Sequence, residues 1–168
     1  MSYTPNFNGF ADYNDTATSG TPIVIAANTW TTITNDGLGA FTNLDSLPFG
    51  VTSLMDTSTG YIDPTELEIG DSLVIRNDYT ITPSINNSLL EFRYELGTGE
   101  GLYQLESIIN RLDSGSGIGY RFALKPDFIY MGDLNTKDNF IKIQIKLNNA
   151  ATLVNAGTVI QVIKGLSW

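Results

Sequence analysis

The sequence predicts an all-β protein, an antiparallel sandwich or jelly roll of about ten strands. Apolar and polar residues alternate with a period of two in some segments, and further apolar runs have the length of strands. Clusters of Gly, Asn, Asp and Ser, the residues of tight turns, separate these segments. A chain of 168 residues forms one domain and can bury a sizeable core.

The alternating segments are the clearest strand predictions, because alternation gives a strand one buried face and one face in water. They cover residues 73–81, 89–96, 120–124 and 141–147. In the second of these, Glu91 and Glu95 flank Arg93 on the wet face. This arrangement predicts ordinary surface ion pairs there.

The remaining predicted strands are less regular apolar runs. They cover residues 22–27, 30–34, 51–55, 103–109, 128–131 and 158–163. We expect these strands to be more deeply buried or irregular. Residues 103–111 also fit a helical face through Leu105, Ile108 and Ile109, so a helix is the alternative there.

The first 20 residues have a different composition, with aromatic residues set among Asn, Gly, Pro and Asp. We predict an N-terminal arm over residues 1–20 and a β jelly-roll domain over residues 21–168. Aromatic side chains bury much area for little loss of rotamer entropy, so they are favoured anchors at interfaces. The candidate docking anchors are Tyr3, Phe7, Phe10 and Tyr13. A passive terminus is the alternative.

Charge divides the chain into two parts. The first basic residue is Arg76, nine acidic residues precede it, and the formal net charge is −9. We expect the first 75 residues to form an electronegative surface, either one that meets a basic partner or an ordinary solvated one. No basic cluster is present, so nucleic acid is not an expected partner. The apolar runs are far shorter than a membrane span, so membrane insertion is not expected.

The sequence contains no His and no Cys, which excludes Ser-His-Asp and Cys-His catalysis and imidazole or thiolate metal sites. The acids left for catalysis are pairs such as Glu66 with Glu68. Residues 133–138 begin like a calcium loop, but Lys137 and Asp138 occupy the positions of a ligand and of the required glycine. We therefore expect no catalytic residue, cofactor or metal ion. A carbohydrate-active enzyme with a carboxylate pair is a distant alternative.

Four parts of the sequence resemble structural proteins of tailed bacteriophages. They are residues 13–15 with 21–23, 34–43, 68–76 and 129–133. The proteins that they resemble are trimeric jelly rolls of the tumour-necrosis-factor or C1q type. Such domains serve as capsid decoration proteins, head fibres or tail-fibre knobs, and they have no catalytic residues to carry over.

The resemblance implies a homotrimer on the outer capsid surface of a virion, bound to the major capsid protein or another virion protein. Only a short arm precedes the predicted strands, without a coiled-coil or collagen-like stalk, which favours a decoration protein over a fibre tip. The alternative is a receptor-binding knob that holds a host surface glycan in an aromatic groove. Residues available for such a groove are Trp30, Tyr61, Tyr79, Tyr94, Tyr103, Tyr120 and Tyr130.

Overall fold

The computed structural model describes residues 8–114 and 116–165. These residues form two packed antiparallel sheets and one small two-stranded ribbon, which confirms the predicted all-β sandwich. The strands described are β1 (Asn8–Asn14), β2 (Ile23–Ile25), β3 (Thr31–Thr32), β4 (Met55–Asp56), β5 (Tyr61–Ile62), β6 (Ser72–Pro83), β7 (Ser88–Leu96), β8 (Tyr103–Leu112), β9 (Tyr120–Ala123), β10 (Asp127–Tyr130), β11 (Lys142–Leu147) and β12 (Ala151–Ile163). The helical elements are α1 (Ala17–Gly20), α2 (Leu134–Lys137) and a 3-10 turn (Gly99–Gly101). Within the described residues, no helix could cross a membrane.

The strand order is that of a jelly roll. Sheet A has the order β1-β12-β6-β10, with β2 also beside β12 and β9 also beside β6. Sheet B has the order β3-β11-β7-β8. The chain crosses repeatedly from one sheet to the other, and β1 pairs with β12, the last strand described. This long-range pairing over seven residues closes the sandwich, as in other jelly rolls.

The core lies between the sheets and consists of the inward-facing residues of the alternating strands. On β7 the burial alternates at every residue, as the sequence predicts. Phe92 and Tyr94 pack edge to face with ring centroids 5.0 Å apart, and Tyr79 of β6 lies against Phe92 across the core. Aromatic pairs in this geometry add to the stability gained from burial alone.

The strand predicted over residues 103–109 is confirmed as part of β8, and the helical alternative is wrong, because residues 103–112 pair with β7 from Tyr103 to Leu112. One predicted strand differs from the structure. The strand predicted over residues 51–55 is mostly loop, and only Met55 at its end joins the ribbon of β4 and β5. The preceding residues of this segment have no partner strand among the described residues.

The predicted boundary at residue 20 is corrected by β1, which belongs to sheet A. Ala11 and Tyr13 face the core, and the other edge of β1 is covered by residues 43–46. Phe10 N–H donates to the Ser46 carbonyl at 2.9 Å. The jelly roll therefore includes residues of the predicted arm, and residues 1–7 of that arm lie outside the described residues. Ala11 is small, so β1 carries only one large inward side chain, and its alternation is hard to detect.

Candidate interaction surface

The outer face of sheet B is a ladder of paired charges. Lys142 and Glu95 lie opposite each other on β11 and β7, as do Lys146 and Glu91. Their ion pairs are 2.8 Å and 3.0 Å long. The Lys142 ammonium, which donates to Glu95, holds the pKa of that carboxyl below its usual value. These contacts confirm the surface pairing predicted for Glu91 and Glu95, and they leave this face well suited to water.

Arg93 completes the ladder. It donates to Gln144 at 2.7 Å and to Glu106 at 3.0 Å. Its guanidinium carbon also lies 4.2 Å from the centre of the Trp30 ring, and the Lys146 ammonium lies 4.6 Å from that centre. Because these two cations already lie against the ring of Trp30, a sugar that stacked on the same ring face would have to displace them.

The outer face of sheet A has the opposite character. The register places Phe10, Gln161, Val74 and Phe128 in one row across four strands, and residues opposite each other in a sheet share a face. The next row ends in Ile163, Ser72 and Tyr130. The exposed fractions are 60% for Phe128, 55% for Tyr130, 41% for Phe10 and 38% for Ile163. We call Phe10, Val74, Phe128, Tyr130, Val159 and Ile163 the sheet A patch.

The patch exists because β10 and β12 carry apolar residues on both faces. On β10, Ile129 is buried in the core while Phe128 and Tyr130 on either side of it point outward. A strand that is apolar on both faces is typical of a strand covered on both sides. The only charges near this patch on the inner strands are Arg76 and Asp78 of β6, which pair with each other at 3.2 Å.

A cleft adjoins the patch where β8 of sheet B approaches β9 and β10 of sheet A. It has a volume of about 380 Å³ and mostly apolar walls that include Ile108 and Phe122. Asp127 faces this cleft, and burial raises the pKa of its carboxyl, although the Tyr94 hydroxyl and Lys125 act in the opposite direction. Since β8 and β10 are edge strands, this side of the sandwich also exposes backbone groups.

The predicted docking anchors separate into three groups. Phe10 is exposed on the sheet A patch. Tyr13 is 1% exposed, and its hydroxyl accepts a hydrogen bond from Leu54 N at 2.8 Å, so it is a core residue and not a docking anchor in the folded chain. Tyr3 and Phe7 lie outside the described residues.

The aromatic residues proposed for a glycan groove are also dispersed. Tyr79 and Tyr94 are buried in the core and cannot line a groove. Trp30 lies on the outer face of sheet B, whereas Tyr130 lies on the outer face of sheet A. The structure therefore does not bring these rings together in one groove.

The acidic residues considered for chemistry serve local structure instead. Glu66 accepts hydrogen bonds from Thr52 N, Thr52 Oγ1 and Ser53 N. Asp133 caps α2 by accepting from Thr136 N at 2.7 Å, as expected for a turn rather than a calcium loop. Across residues 8–114 and 116–165, no group of three or more acidic side chains is placed to hold a metal ion.

Comparisons with known proteins give structural neighbours only. No family model and no curated protein matches the sequence. Similar solved structures include the T13 IBDV viral particle, at 12% identity over 98% of this chain and 33% of that chain, with a TM-score of 0.43. The PRD1 vertex protein P5 is 17% identical over 98% of this chain and 100% of that chain, with a TM-score of 0.40. The VP2 subviral particle of infectious bursal disease virus is 13% identical over 95% of this chain and 31% of that chain, with a TM-score of 0.38.

These neighbours are viral capsid and vertex proteins. This chain spans about one third of the length of the virus-particle chains that it matches, 33% and 31% in the two cases. With identities of 12–17% and TM-scores below 0.5, the matches do not assign a function to this chain.

Proposed function

We propose that the protein is a virion structural protein, a capsid decoration protein that forms a homotrimer through the sheet A patch and docks on the outer surface of a phage capsid. The observation that carries self-association is the contrast between the two outer faces of the sandwich. Sheet B presents paired charges to water, whereas sheet A presents Phe10, Phe128 and Tyr130. The virion setting rests on the resemblance of the sequence to structural proteins of tailed bacteriophages.

Exposed aromatic residues grouped on one face are typical of protein interfaces, since they bury large areas with little entropic cost. The sheet A patch has this composition, and polar residues such as Asn8 and Gln161 lie among its members. The exposed edge strand β10 borders the same patch. One association that covers both the patch and this edge removes exposed apolar side chains and unpaired backbone groups from solvent together.

A ring of three copies fits these two adjoining surfaces. The patch and the edge are different surfaces, so a contact of one with the other is heterologous, and heterologous contacts form a ring when the rotation between copies closes. Three is the smallest such ring, and trimers are what the sequence resemblance implies. In this arrangement the charged face of sheet B points away from the axis and remains in water.

Native mass spectrometry tests the assembly. We expect three copies of the 18.3 kDa chain in the intact particle. The double variant Phe128→Ser/Tyr130→Ser should give monomers, because these are the two most exposed side chains of the patch and both lie on the edge strand β10. The control Leu134→Ser removes an exposed apolar side chain from α2, outside sheet A and its edges, and should leave the trimer intact. A wild-type chain that stays monomeric at micromolar concentration contradicts the proposal.

Attachment is tested with phage particles stripped of this chain. We expect wild-type protein to bind the capsid surface in a copy number set by the capsid lattice. Binding confined to the few copies of a tail tip would instead indicate a receptor-binding knob. Electron microscopy of particles labelled through an exposed loop of sheet B distinguishes the two outcomes.

A further inference from the structure

The outer side of sheet A has charges of opposite sign at its two edges, with the apolar patch between them. One edge is formed by β9, β10 and the turn that joins them. The other edge is formed by β1 and the covering residues 43–46. Each edge carries charged side chains that form no ion pair within the described residues, and the sign of these charges is opposite at the two edges.

The β9–β10 edge carries basic side chains that form no ion pair within the described residues, although Lys125 acts on the nearby Asp127 carboxylate. Six of the nine basic residues form ion pairs, namely Arg76, Arg93, Lys137, Lys142, Lys146 and Lys164. Among the described residues, the three in no ion pair are Arg111, Arg121 and Lys125. Arg121 faces outward from β9 opposite Thr80, and Lys125 lies two residues after the end of β9. Arg111 lies at the end of β8, two residues from the acidic Asp113.

The β1 edge carries acidic side chains. Asp12 faces outward from β1, opposite Val159, and Asp45 is exposed on the covering segment. Neither forms an ion pair within the described chain. Burial raises the pKa of Asp12 and Asp78 acts in the same direction, while Arg76 partly opposes them. The ionised form of Asp12 would therefore be stabilised by a further cation.

We propose that the copies assemble head to tail, with Arg121 and Lys125 of one copy facing Asp12 and Asp45 of the next. This inference rests on the proposed self-association through the sheet A patch and identifies which edges meet. Head-to-tail contact places the basic edge against the acidic edge at every interface. A contact that placed each edge against the same edge of the next copy would bring like charges together, which is unfavourable.

Charge reversal on one edge and then on both edges tests the pairing by sedimentation velocity. We expect Arg121→Glu/Lys125→Glu to weaken association at least about tenfold, and Asp12→Lys/Asp45→Lys to do the same. The variant with all four changes restores opposite charges at each contact, so it should assemble like the wild type. It should also fail to exchange subunits with the wild type. Lys137→Glu/Lys146→Glu changes the total charge as much as the first variant, but outside sheet A, and should leave association unchanged.

Circular dichroism of each variant separates lost association from lost folding. If the wild type is oligomeric and reversal of either edge has no effect, or the fourfold variant fails to assemble, the edge pairing is wrong while self-association stands. If the wild type is monomeric, the pairing and the proposed assembly both fail.

Discussion

Lys164 Nζ lies 2.7 Å from Asp71 Oδ2, an ion pair between the segment after β12 and the turn before β6. Asp71 is 2% exposed. Its carboxylate also accepts from Gly165 N at 2.7 Å and from Glu68 N at 2.8 Å. One buried carboxylate thus joins the turn before β6 to the last described residues of the chain.

Lys164→Met should lower the free energy of unfolding by about 3 kcal/mol, because Asp71 would remain buried without its cation. Urea denaturation at fixed protein concentration measures the change, since self-association makes apparent stability depend on concentration. Glu106→Gln, which removes a solvent-exposed partner of Arg93, should cost less than about 1 kcal/mol. Equal losses of unfolding free energy in the two variants would show that the buried ion pair contributes no more to stability than the exposed one.

Tyr13→Phe should lower the free energy of unfolding by about 1–3 kcal/mol, because Leu54 N–H would lose its buried acceptor. Tyr130→Phe is the matched control, since the ring of Tyr130 is exposed on the sheet A patch. We expect no measurable change in unfolding for this control. A neutral Tyr13→Phe would mean that water replaces the hydroxyl.

Deletion of residues 1–20 should abolish the fold, because it removes β1 together with Ala11 and Tyr13 from the core. The shorter deletion of residues 1–7 leaves the whole β1–β12 ladder and should retain the sheet signal in circular dichroism. A folded product from the longer deletion would show that residues 1–20 act as an arm.

Strands with one wet face were predictable from the sequence, and strands apolar on both faces were predictable only in part. On β7, the alternation of Glu91, Phe92 and Arg93 distinguishes the two faces directly. On β10, the run of Phe128, Ile129 and Tyr130 indicates a strand, but it does not show that the outer face lacks a cover. The sheet A patch therefore became visible only once the register placed these residues beside Phe10.

Contacts between distant parts of the chain were not predictable from spacing. Lys164 and Asp71 are 93 residues apart, and each has several possible partners of opposite charge. The sequence places Tyr13 in an arm because the aromatic residues of this segment lie among Asn, Gly, Pro and Asp. The pairing partner of Tyr13, Thr158 of β12, lies near the other end of the chain.

Acid should loosen the segment at residues 52–53, which the Glu66 carboxylate holds. Hydrogen bonds from Thr52 and Ser53 lower the pKa of Glu66 below its usual value near 4.5. The carboxylate therefore contributes stability above that value, and the contribution is lost as the pH falls through the lowered pKa. We expect amide protection of Thr52 and Ser53 to fall in this acid range.

Hydrogen exchange corrected for intrinsic rates measures this effect. Glu66→Gln keeps an acceptor but cannot ionise, so its protection at these two amides should be low and independent of pH. Protection in the wild type that does not change down to pH 3 would show that the segment is held by other contacts.

Asp127→Asn should raise the free energy of unfolding at pH 7, because the carboxylate faces an apolar cleft. Burial raises the pKa of Asp127 above its usual value near 3.8. An acid with a raised pKa in the folded state binds protons more tightly when folded, so its ionisation lowers stability as the pH rises through that range. The gain in unfolding free energy from Asp127→Asn should consequently shrink as the pH falls, and it should vanish below the usual pKa of an aspartate near 3.8.

Urea denaturation at pH 7 and at pH 3.5 measures the gain at both ends of this range, with Asp113→Asn as the exposed control on the same side of the sandwich. A loss of stability at pH 7 would instead show that the ionised carboxylate is held by its neighbours, Tyr94 and Lys125, more strongly than burial disfavours it.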